Sequence, residues 1–127
     1  VSADALQALA EQLRAEDTPI AAHVVAPEGP VDAEAPDEYA LVMEAVREGY
    51  LLHYGESRLL SGHDDDLGLL AGDYLYALGL DRLAALGDTD AVAVLSELIG
   101  RCAQLHVEGR DGEVEALWVE AGERIRK

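Results

Sequence analysis

Phenylalanine is absent from this 127-residue chain, lysine occurs once, and cysteine, methionine and tryptophan occur once each. The lone Cys102 cannot form an internal disulfide, so a reducing cytoplasm is the expected compartment. Basic residues are also scarce, nine against 26 acids, which leaves a net charge of −17. That balance argues against nucleic acid and anionic membrane surfaces as partners, because both require a basic footprint. No apolar run approaches the roughly 20 residues of a membrane span, and no membrane insertion is expected. The first residues show no basic-then-apolar secretory pattern either. The few serines include none in a Gly-x-Ser-x-Gly setting, and the glycines have no dinucleotide or phosphate-loop spacing. His23, His53, His63 and His106 form no short metal-binding spacing.

What is abundant is helix-forming. Alanine and leucine make up about a third of the chain, and β-branched residues are sparse. Ser2 is placed to cap a first helix from about Ala3 to Ala15, with Leu6, Leu9 and Leu13 on one stripe. All four prolines (Pro19, Pro27, Pro30 and Pro36) and Gly29 fall between residues 17 and 36, which predicts an extended loop or arm. Pro36 then suits the first turn of a second helix, with Asp37 and Glu38 at its positive end. Tyr39, Val42, Met43, Val46, Tyr50 and Tyr54 mark its apolar face, and Gly55 or Ser61-Gly62 should end it.

A third helix opens at His63-Asp64-Asp65-Asp66. Almost every residue from Leu67 to Leu80 is apolar, so burial on most sides is expected. Gly87-Asp88-Thr89 separates it from a fourth helix with a stripe of Val92, Leu95, Leu98, Ile99, Cys102 and Leu105. A turn at 109–112 leads to a fifth, facing inward through Val114, Leu117, Trp118, Ala121 and Ile125. The expectation is an all-α protein of about five helices. It forms a single domain made of an N-terminal helix (1–16), a proline-rich arm (17–36) and a helical core (37–127).

Residues 1–66 carry fifteen acids and three arginines, whereas residues 67–127 carry eleven acids and six bases. A solvated acidic face accounts for most of this excess. Within it, Asp66 and Asp73 lie seven apart, near one helix face, and are the best-spaced pair for Mg²⁺ or a diphosphate. The triplet 64–66 alone is better read as capping a helix start. Asp73 interrupts an apolar run and would be costly if buried unpaired, so it is expected to meet an arginine (Arg101 or Arg110), a hydroxyl, a helix end or a metal. His53 and His106 fit core or rim positions, and Cys102 fits a buried, inert thiol.

The segment from Leu69 to Thr89, reading LLAGDYLYALGLDRLAALGDT, resembles a helix and turn of the trans-isoprenyl diphosphate synthases. Leu70, Ala71, Gly72, Asp73, Tyr74, Leu75 and Ala77 match the family's helix, and Leu86-Gly87-Asp88 matches its turn. The resemblance covers about forty residues, extending loosely to sixty. It implies part of an isoprenoid-synthase-like helical bundle. It also departs from that family. Asp64-Asp65-Asp66 is followed by Leu67-Gly68, so a DDxxD motif is not completed, and it lies too near Asp73. Neither a second such motif nor the family's basic diphosphate clamp occurs in these 127 residues.

Catalysis by this chain alone is therefore not expected, and no cofactor beyond a candidate Mg²⁺ is implied. The chain resembles the short, non-catalytic subunit of a heteromeric synthase. Such a subunit pairs with a full-length prenyl diphosphate synthase, completes the dimer and influences product length; a homodimer is the other expected assembly. On this resemblance Gly68, Gly72, Tyr74, Leu75 and Leu78 are candidates for an interface or product cavity. Two alternatives stand beside it. One is a Mg²⁺-dependent isoprenoid diphosphate-binding protein using Asp66 and Asp73, and the other a stand-alone helical domain that kept the fold and lost the chemistry.

Overall fold

A computed structural model describes residues 3–27 and 37–125 and contains five α-helices, with no strand among those residues. The helices are α1 (Ala3–Ala15), α2 (Glu38–Tyr54), α3 (Asp65–Ala85), α4 (Thr89–Val107) and α5 (Val114–Ile125). Short 3₁₀ turns occupy Ala21–His23 and Asp111–Glu113. The all-α expectation is met. No helix is long and apolar enough to cross a membrane among the described residues. Ser2, Gly29, Pro30 and Pro36 lie outside them, and so does the rest of the 28–36 part of the proline-rich arm.

The starts of three helices follow from short acidic side chains accepting orphan N–H groups. Asp37 Oδ1 accepts from the Tyr39 amide at 3.2 Å, Asp64 Oδ1 from Leu67 at 2.7 Å, and Asp88 Oδ1 from Ala91 at 3.0 Å. The first carboxylate of the 64–66 triplet is thus a cap. At the far end of α3, Gly87 takes a φ of +77° and the Asp88 amide donates back to the Leu83 carbonyl at 3.2 Å. A side chain at that φ would be strained, so glycine ends the helix there.

The chain divides into two compact units, Val1–Gly79 and Leu80–Lys127, with the boundary inside α3. In the first unit, Leu6, Leu9, Ala10 and Leu13 of α1 join Leu41 and Ala45 of α2, Leu59, and Leu75 of α3 in one core. Leu9, Leu13, Leu59 and Leu75 are wholly removed from solvent. Each such leucine contributes about 1.5–3 kcal/mol of burial free energy. A smaller group of Ile20, Leu60 and Ala71 adjoins Val24 and Leu52.

The near end of the arm is tied down. Val25 N–H donates to Leu59 O at 2.8 Å and Ser61 N–H to His23 O at 3.0 Å, an isolated antiparallel rung around Val24 and Leu60. In the second unit, Val94, Leu95, Leu98, Cys102 and Leu105 are buried on α4, and Val114, Trp118, Ala121 and Ile125 on α5. These are largely the stripes that periodicity predicts.

Candidate functional site

The segment carrying the family resemblance begins in α3, whose first four turns pack on α2 within the first unit. The contact is made backbone to backbone through glycine. A Cβ on Gly49 would lie 2.6 Å from Tyr76 Cδ1 and 2.9 Å from the Gly72 carbonyl oxygen. A Cβ on Gly72 would collide with the His53 ring and stand 3.0 Å from Gly49 O. One on Gly79 would meet Val46 Cγ2 at 2.6 Å. These glycines are what lets the two helices approach so closely.

That contact decides where each candidate side chain goes. Gly68, Ala71, Gly72, Leu75 and Gly79 face inward and are buried. The Tyr74 hydroxyl donates to Glu16 Oε2 at 2.8 Å, linking α3 to the end of α1. Burial and this acceptor raise the Tyr74 pKa above its ordinary value. Leu78 is half-buried against the main core. The residues expected at an interface or product cavity are therefore engaged inside the unit.

The opposite face of α3 is open. Leu69 is 48% and Leu70 66% exposed, and Asp66, Asp73 and Ala77 share that face. Burial of α3 on most sides, as its composition suggests, does not hold in this unit. The helix is one-sided, because α2 covers only the glycine-lined stripe.

Asp73 meets a residue of its own unit: its Oδ1 lies 3.1 Å from His53 Nε2, and its side chain is 70% exposed. The ring nitrogen is shielded from solvent, and the contact lacks the alignment of a formed hydrogen bond. The carboxylate itself is largely open to water, so the cost of burying it unpaired never arises. The His53 ring stacks on Tyr76 at 5.4 Å and lies 5.9 Å from the Tyr54 ring. Arg110 binds Glu113 at 2.6 Å and Glu108 at 3.2 Å. Its guanidinium holds the Glu113 carboxyl below the usual carboxylate range. Asp66 and Asp73 share the outer face, but no group of three or more His, Cys, Asp or Glu side chains suited to a metal forms among the described residues.

The sequence reading missed a buried charged cluster. Glu44 and Glu48 are one turn apart on α2 and almost wholly buried, Glu48 at 0% exposure. Glu48 Oε1 accepts from Ser57 Oγ at 2.6 Å and from the Arg58 and Leu59 amides at 3.0 and 3.3 Å. Its Oε2 takes Arg58 Nε at 2.7 Å, and Arg58 Nη1 reaches Glu44 Oε2 at 3.1 Å. Burial raises the Glu44 pKa, partly offset by Arg58 and reinforced by Glu48. This network fastens the loop after α2 onto that helix. A signal existed, since Glu48 stands seven residues after Leu41 and four before Leu52, on a buried stripe.

Comparison with protein-family models, with curated proteins and with solved structures finds no match to this chain.

Proposed function

We propose that the chain acts as a non-catalytic helical subunit that pairs with a full-length prenyl diphosphate synthase, completing its dimer and influencing product length. The observation that carries this reading is the state of α3. The helix with the synthase-like Ala-Gly-Asp-Tyr run uses its glycine stripe for internal packing and leaves Leu69 and Leu70 in solvent. Adjacent large apolar side chains held outward on a rigid helix suit a surface that another protein covers. A cytoplasmic location belongs to the same proposal.

Co-expression with a full-length synthase from the same genome, followed by size-exclusion chromatography with light scattering, tests it. The expected result is a stoichiometric complex whose product length differs from that of the synthase alone. Elution of the two chains apart, with unchanged products, would sink the proposal. Calorimetry with a prenyl diphosphate and Mg²⁺ tests the diphosphate-binding alternative, which requires binding that Asp73→Asn abolishes.

A further inference from the structure

Three features of the molecule stand apart from its packing. A cleft of about 450 Å³ in the second unit is lined by Arg101, Gln104, Leu105, Arg110, Glu113 and Leu117. Two carboxylates, Glu108 and Glu113, already bind Arg110 there, so the cleft selects no ligand charge. The Glu44–Glu48–Arg58 cluster is committed to holding a loop. The outer face of α3 is different, because its apolar and charged groups alternate along one line and little within the unit uses them.

Steps of 100° per residue bring Asp66, Leu69, Leu70, Asp73 and Ala77 within an arc of about 100°, along roughly 16 Å of helix. The two leucines form the centre, with a carboxylate one turn before them and another one turn after, about 10 Å apart. No lysine or arginine stands on this stripe. At the Asp73 end, the His53 contact brings up the end of α2, where Tyr54 is 41% exposed.

We infer that this stripe is a docking surface for a helix of a different protein, apolar at its centre and carrying lysine or arginine about two turns apart. The inference rests on the proposed role as a partner subunit and adds the place of contact and the chemistry of the partner. Each element of the surface selects for that chemistry. Leu69 and Leu70 gain by leaving water against an apolar strip. Asp66 and Asp73 gain cationic partners at the rim, where complementary charge guides approach and fixes register. Ala77 lets a partner backbone come close.

The same features disfavour other occupants. A second copy would set carboxylates against carboxylates between chains of charge −17. Anionic lipid surfaces and nucleic acids are repelled for the same reason. The expected interaction is therefore heteromeric and salt-sensitive.

Site-specific photo-crosslinking in the native cell tests this. A photoreactive residue is placed at Leu70, with Val119, 61% exposed on α5, as the control position. The expected result is a crosslink from position 70, and not from 119, to one other chain. Mass spectrometry of the linked peptide should find at least two basic residues within about two turns of the link. Repeated on the purified complex, the yield should fall several-fold in high salt and in the Asp66→Asn/Asp73→Asn double variant. Both substitutions are at exposed positions, and circular dichroism checks that the fold is kept.

A crosslink to a second copy, to an acidic or neutral peptide, or equally from both positions overturns the inference, and so does no adduct at position 70. The two proposals fail separately. A stable complex with a synthase but no adduct at position 70 removes this surface and keeps the function. An adduct at position 70 to a basic peptide of an unrelated protein keeps the surface and removes the synthase as partner.

Discussion

The two units of this chain build their interiors by different means. The second buries an apolar stripe on each of α4 and α5 and keeps the Arg110 ion pairs in solvent. The first has a leucine core too, but adds to it two buried glutamates and a pair of helices joined through glycine. Those additions depend on a few contacts that admit no substitute. An interior of interlocking leucines and valines spreads its stability over many side chains. The lesson is that sensitivity to substitution should concentrate in the first unit.

The sharpest way to break that contrast is Glu48→Ala. It leaves Arg58 without its main partner and the loop amides unsatisfied, and should cost about 3–5 kcal/mol in urea unfolding. A loss below about 1 kcal/mol would mean that the loop is held by its apolar residues instead. Gly72→Ala comes next, with an expected loss of about 1–3 kcal/mol as its methyl group meets the His53 ring and Gly49 O. Its counterpart on α4, Gly100→Ala, meets nothing within 4 Å and should stabilise by about 0.5–1 kcal/mol. Thermal melts of the pair decide whether glycine serves close approach in one unit and nothing comparable in the other.

The pH dependence sharpens the same point. Glu44 holds its proton to a higher pH in the folded chain than the ordinary glutamate value of 4.5. From 4.5 up to the raised value the native state binds the extra proton, so this group's contribution to stability falls as pH rises. The difference in urea midpoint between the parent chain and Glu44→Gln, followed from acid to neutral pH, should show that fall. The smallest effect is expected at Glu113, a solvent-exposed partner of Arg110. Glu113→Gln should leave the unfolding midpoint where it is.

The same division explains what the sequence makes legible. The stripes of α1, α4 and α5 follow from the spacing of apolar residues, and the caps at Asp37, Asp64 and Asp88 from short acids ahead of apolar runs. In each case local chemistry decides. The face that α3 turns inward does not follow, because Leu, Ala, Gly and Tyr occur on all its sides. Only Val46, Gly49 and His53 of α2, distant in sequence, select the stripe of Gly72 and Gly79. Asp73 illustrates the same limit. The reasoning that it needs a strong partner holds for a buried carboxylate, but tertiary packing turns this one to solvent. Glu44 and Glu48 err in the other direction, because their burial depends on Arg58, ten or more residues along the chain.

One consequence concerns light rather than energy. All five tyrosines lie at or before residue 76, in the first unit, and the only tryptophan, Trp118, is buried on α5 in the second. Each unit therefore carries its own chromophore. Excitation at the red edge of tryptophan absorption follows α5 alone, whereas tyrosine absorbance follows α2 and α3. Coincident transitions from the two signals would mark a single cooperative molecule, and separated ones two independent foldons, with no label added to the chain.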